Sequence, residues 1–127
     1  MKTILTVEES QRLIDLGVDP KMASTTCINF NGTYAYVSGE ESETVRDCVN
    51  GQYYTEECMC FSIADILSIL PKEIDDSVLG MEYDSEFKQW WAGYNAVSLK
   101  SAPELIDALN KLAIWCLENG HLKTEKK

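Results

Sequence analysis

The stretch from Ser101 to Gly120 constrains the fold of this chain more than any other. Ser101-Ala102-Pro103-Glu104 reads as a helix start, with a hydroxyl N-cap, a proline in the first turn and a glutamate that completes a capping box. Leu105, Ile106, Leu109, Leu112, Ala113, Cys116 and Leu117 then recur at helical spacing, Asp107, Lys111 and Glu118 lie opposite, and Gly120 supplies the stop. A helix with one wide apolar stripe must cover another layer, and the preceding sequence offers a sheet.

Val78 to Tyr83 and Phe87 to Tyr94 alternate as two strands joined by Asp84-Ser85-Glu86, and Ala96 to Leu99 is placed to add a third. Further upstream, Cys27-Ile28-Asn29-Phe30 and Thr33-Tyr34-Ala35-Tyr36-Val37 flank Asn31-Gly32, the dipeptide that suits a two-residue hairpin turn. Two shorter helices are also marked. Thr6 with Glu9 forms a capping box ahead of a helix ended by Gly17 and Pro20, and Ser62 caps a second with Ile63, Ile66, Leu67 and Leu70 on one face before Pro71. Residues 39–60 have no periodicity and six acids against Arg46, which reads as an irregular acidic segment. The expectation is one α+β domain over 1–127: a small antiparallel sheet, hairpin plus meander, packed against a long C-terminal helix and two shorter ones.

Composition narrows the function classes. Eleven basic against 21 acidic side chains leave a net charge of −10, spread over both halves, which repels phosphate backbones and anionic lipid. No direct nucleic-acid binding and no membrane association are expected, and no apolar run approaches spanning length. The basic tip Lys123, Lys126, Lys127 reads as a solvated terminus. Five cysteines, an odd number without a secreted spacing pattern, point to a reducing cytoplasm.

Candidate chemistry is thin. Cys58, Cys60, Cys48 and His121 are four soft ligands, but Cys58-Met59-Cys60 has one intervening residue where zinc sites use two to four. His121, the only histidine, sits past a helix stop and reads as a surface residue rather than a general base. Asp75 to Glu86 imitates a calcium loop in part, yet Leu79 stands where an oxygen is required, so an acidic turn leading into a strand is the better reading. No catalytic residue, cofactor or metal site is assigned.

The informative feature is Phe87 to Tyr94, because alternation sends Phe87, Gln89 and Trp91 to one face and Lys88, Trp90, Ala92 and Tyr94 to the other. Both faces are aromatic, and one helix layer covers one of them. The other face either lies under the two shorter helices and the hairpin or serves as a protein-binding surface built on Trp90, Trp91 and Tyr94, extended by Trp115.

Leu5 to Val18, Phe61 to Ile74 and Glu104 to Leu109 together resemble a group of small uncharacterised proteins of gut anaerobic bacteria and their phages or mobile elements. The resemblance implies a bacterial or phage origin and carries no activity. The expected function is therefore a non-enzymatic protein–protein interaction module or accessory protein of a mobile element, acting on a protein partner or by self-association. Two alternatives stand beside it: an acidic DNA mimic that inhibits a nucleic-acid enzyme, and a small enzyme using Cys58 or Cys60 with an acidic partner.

Overall fold

The computed structural model describes residues 2–30, 33–38 and 54–122, with side chains over 2–25 and 60–122. The Asn31-Gly32 turn, most of the acidic segment, Cys48, the side chains of Cys27 and Cys58 and the basic tip lie outside this description.

The fold is α+β. Helix α1 (Val7–Asp15) starts on the expected capping box: Thr6 accepts from the Glu9 N–H at 3.1 Å and the Glu9 carboxylate accepts from the Thr6 N–H at 3.0 Å. A 3₁₀ turn at Pro20–Met22 leads into strand β1 (Thr25–Phe30), which pairs antiparallel with β2 (Thr33–Ser38) as the hairpin reading requires. On its other edge β1 pairs with β3 (Tyr54–Cys60). The expectation of irregular structure over 39–60 is thus corrected at its C-terminal end. The acids of Glu56-Glu57 hid a strand whose pairing partner lies some thirty residues away in sequence.

Helix α2 (Ile63–Ile69) carries a Ser62–Asp65 capping box, and Pro71 follows its end. Strand β4 (Glu73–Ile74) turns through Asp75 and Asp76, both at positive φ, into β5 (Ser77–Asp84). That is the two-residue hairpin geometry that matches strand twist, so these acids form a turn and not a calcium loop. The meander continues through β6 (Gln89–Tyr94) and β7 (Ser98–Ala102), in the order β4-β5-β6-β7. Hairpin and meander therefore belong to two separate sheets, because β3 and not the meander takes the free edge of β1.

Helix α3 (Leu105–Glu118) differs from expectation at its start. Ser101 and Ala102 are the last residues of β7, the N-cap is Glu104, and its side chain makes no capping bond. The Glu104 carboxylate instead accepts from the Lys2 N–H at 3.2 Å. The helix ends in a Schellman motif: the His121 N–H bonds the Cys116 carbonyl and the Gly120 N–H that of Leu117, with Gly120 at φ +76°, a conformation that favours glycine.

One cluster joins these elements, with Leu5 and Leu13 from the N-terminal segment, Phe61 and Ile66 around α2, Ala92 and Tyr94 from β6, and Ile106, Leu109, Leu112 and Cys116 from α3. The N-terminal segment is fixed by backbone bonds from Leu5 to Phe61 and from Ile63 to Thr3, and buried Ser10 accepts from the Phe61 N–H. Lys2 clasps two helices at once, donating to Glu9 of α1 and Asp107 of α3, each at 2.8 Å.

Candidate functional site

Strand register sorts the meander residues onto two faces. Gly80 stands opposite Gly93 and Gly93 opposite Leu99, while Glu82 is opposite Trp91 and Trp91 opposite Ser101. These residues, with Val78, share the outer face. Leu79, Met81 and Tyr83 alternate with them and fall on the inner face with Trp90, Ala92 and Tyr94. Helix α3 packs over β6 and β7 on that inner side.

The outer face is open. Val78 is 69% exposed, Leu99 51% and Trp91 39%, a contiguous apolar group on a sheet surface. Beside them runs a trough of ≈ 820 Å³ that is lined also by Gly80, Glu82 and Asp84 and, from the inner side of the β5 edge, by Met81 and Tyr83. The two glycines differ in what their missing side chains allow. A Cβ on Gly80 would meet nothing within 4 Å, whereas one on Gly93 would lie 2.1 Å from the Ser98 carbonyl oxygen and 2.8 Å from the Leu99 Cα. Gly93 is therefore required by the close approach of β7, and Gly80 is not.

The four aromatic residues singled out from sequence do not form one surface. Trp91 faces the trough. Trp90 is half-buried on the inner face, its ring 5.3 Å from that of Tyr83 at 58°. Tyr94 is fully buried in the core, with its hydroxyl donating to the Pro71 carbonyl. Trp115 is half-buried on α3 and stacks on His121 at 5.0 Å and 20°. Sequence reasoning missed Val78, Leu99 and the glycine pair, because only the register of β5, β6 and β7 sets them side by side. Phe87 lies in the β5–β6 turn, 67% exposed and outside the strand.

Two buried groups and one half-buried ion pair titrate away from their ordinary values. Burial pushes the Cys116 thiol up to about 11, a shift the neighbouring Tyr94 hydroxyl only partly opposes. Burial also raises Tyr94, and the Cys116 group beside it raises it further. Burial would by itself lower Lys2, but hydrogen bonds to Asp107 and Glu9 outweigh it and leave the ammonium raised. Burial would likewise raise Glu9, and the Lys2 and Thr6 bonds leave it lowered. Cys60 is fully buried. Among the described residues no group of three His, Cys, Asp or Glu side chains is placed to hold a metal, and no helix is long and apolar enough to cross a membrane.

Comparison with protein-family models, with curated proteins and with solved structures finds no match to this chain.

Proposed function

We propose that this chain is a non-enzymatic protein-interaction module whose contact surface is the open outer face of the meander, centred on Trp91. The observation that carries the reading is the uncovered apolar group of Val78, Trp91 and Leu99 along one trough. Exposed aromatic and aliphatic side chains grouped around a concavity have the character of a binding hot spot, and one exposed tryptophan supplies a large share of such a contact. The resemblance to small proteins of bacterial mobile elements fits an accessory role of this kind.

The alternatives have less support. A DNA mimic needs carboxylates in phosphate-like rows, whereas here Glu9, Asp19, Asp65 and Asp84 accept from backbone N–H groups at helix starts and turns. The cysteine alternative rests on Cys58 and Cys60: the side chain of Cys58 lies outside the described residues, and Cys60 is fully buried, where a thiol has no access to substrate.

The test is site-specific photo-crosslinking in host extract from a probe at position 78, which leaves Trp91 in place, with a control probe at exposed Ala64 on α2. Support would be a protein captured from position 78 and not 64, which in purified form binds the wild-type chain and not W91A of unchanged thermal stability. Capture with equal yield from both positions would refute the reading. Light scattering over a concentration series identifies the case in which the captured protein is the chain itself.

A further inference from the structure

Strand β5 has an edge that nothing among the described residues pairs. Strand β4 reaches only Ser77 and Val78, and the last backbone bond on that side runs from the Leu79 N–H to the Lys72 carbonyl at 2.8 Å. Backbone groups of an antiparallel strand point alternately to its two neighbours. The N–H and C=O of Met81 and Tyr83, in step with Leu79, therefore point away from β6, where no described backbone pairs with them, while those of Gly80 and Glu82 face β6. The opposite edge of the sheet is treated differently: Lys111 of α3 donates to the Ser101 carbonyl of β7 at 2.9 Å. Helix α3 does not reach over the β5 edge either, and Met81 and Tyr83 remain 44% and 46% exposed.

Resting on the proposed function, we infer that the β5 edge from Gly80 to Asp84 receives an extended, cationic segment of a partner protein as an added strand. An added strand lies about 4.8 Å from β5 and alternates its side chains across the two faces. Those on the inner side meet Met81 and Tyr83, which are apolar. Those on the outer side meet Glu82 and Asp84, and no outer-face position of β4 to β7 is Lys or Arg, with Glu73 a third acid there. The complementary segment therefore alternates Lys or Arg with apolar residues. A second copy of this chain is disfavoured, because antiparallel pairing of β5 with itself centred on Glu82 or Tyr83 sets Glu82 against Glu82 or Asp84 of the copy, and no register offers it a basic partner.

The test is selection from a random peptide display library on the immobilised full chain, followed by binding of the selected peptides to two variants. M81P removes one outward N–H and leaves the β5–β6 ladder intact, and E82K reverses charge at an exposed position. The expected result is a period-two pattern of basic and apolar residues, with affinity reduced about ten-fold or more by each variant and by salt near ~0.5 M. Should M81P lose its fold, E82K alone decides the charge pairing and β5 amide protection against hydrogen exchange on peptide binding decides the edge. No enriched peptide, peptides without alternation, binding indifferent to E82K, or a dimer of the chain that M81P dissociates would each overturn the inference. Peptides lost on W91A but retained by M81P would overturn the edge and leave the outer-face reading standing.

Discussion

Replacing Gly93 by alanine is expected to be among the most damaging single-methyl additions this fold can receive. The new Cβ would lie 2.1 Å from the Ser98 carbonyl oxygen, and contacts under 3.0 Å are essentially never found, so β7 must retreat by about 0.9 Å. A ladder bond of ordinary length stretched by that amount passes beyond hydrogen-bonding range. Losing one or two such bonds at about 1 kcal/mol each, with about 2 kcal/mol of overpacking, gives about 3 to 4 kcal/mol. At about 2.1 cal/mol/K per residue, 127 residues have an unfolding entropy of about 0.27 kcal/mol/K, so the melting temperature falls by about 11 to 15 °C. Gly80, directly across the ladder, is the control: its Cβ meets nothing within 4 Å and its φ is not positive, so G80A leaves the melting temperature unchanged or raises it by about 1 to 3 °C. Calorimetry on both variants checks the pair. A G93A protein melting within about 4 °C of wild type, or a G80A protein equally damaged, would refute the argument from close approach.

The other expectations concern the tryptophans, the buried tyrosine and the Lys2 clasp. W90A, which strips a half-buried ring from the core and from Tyr83, should cost about 2 kcal/mol in urea unfolding, and W91A less than about 1 kcal/mol; the reverse order would invert the two faces. Y94F keeps the ring but leaves the Pro71 carbonyl without its donor, which should cost about 1 to 2 kcal/mol, or about 4 to 7 °C, and an unchanged melting temperature would show that bond to contribute nothing. Glu9 has its folded pKa below the unfolded value of 4.5, so its contribution is complete above that pH and is lost as pH falls through the folded value. Lys2 is raised above 10.5, so its contribution holds below that pH and is lost as pH rises through the folded value. K2M should remove about 0.5 to 1 kcal/mol at pH ~7 and flatten the acid limb, as followed by urea midpoints against pH; an acid limb identical in K2M would exclude the clasp as its source.

Local signals were legible in the sequence wherever a short stretch carried its own physical reason. Thr6 with Glu9 and Ser62 with Asp65 formed caps because a hydroxyl and a carboxylate three residues apart satisfy helix-end donors whatever the surroundings. The same signal misled at Ser101, where the β6 ladder claimed the backbone through Ser101↔Trp91 and Ala102↔Trp90 and delayed the helix to Leu105. Strand β3 was hidden for a related reason: its stability comes from pairing with β1, a contact between distant segments that Tyr54-Thr55-Glu56-Glu57 does not announce. In the candidate site Trp91 was legible as an aromatic residue on a strand, and alternation already set it on the face opposite Tyr94; which of the two faces stays open was not legible, because α3 decides it. Val78 and Leu99 lie on different strands of the sheet, and no window of sequence holds both.

The Lys2 clasp also bears on how the chain is made. Its ammonium joins Glu9, seven residues on, to Asp107, 105 residues on, and the Lys2 N–H reaches Glu104 at a separation of 102. A ribosome adding about 5 to 20 residues per second delivers Asp107 some 5 to 20 s after Lys2. During that interval the first helix has its cap but not its dock, and Leu5, Leu13 and the face of Phe61 stay without the α3 layer that completes their cluster. The docking of the N-terminal segment thus waits on α3, whatever local helices and hairpins form before it.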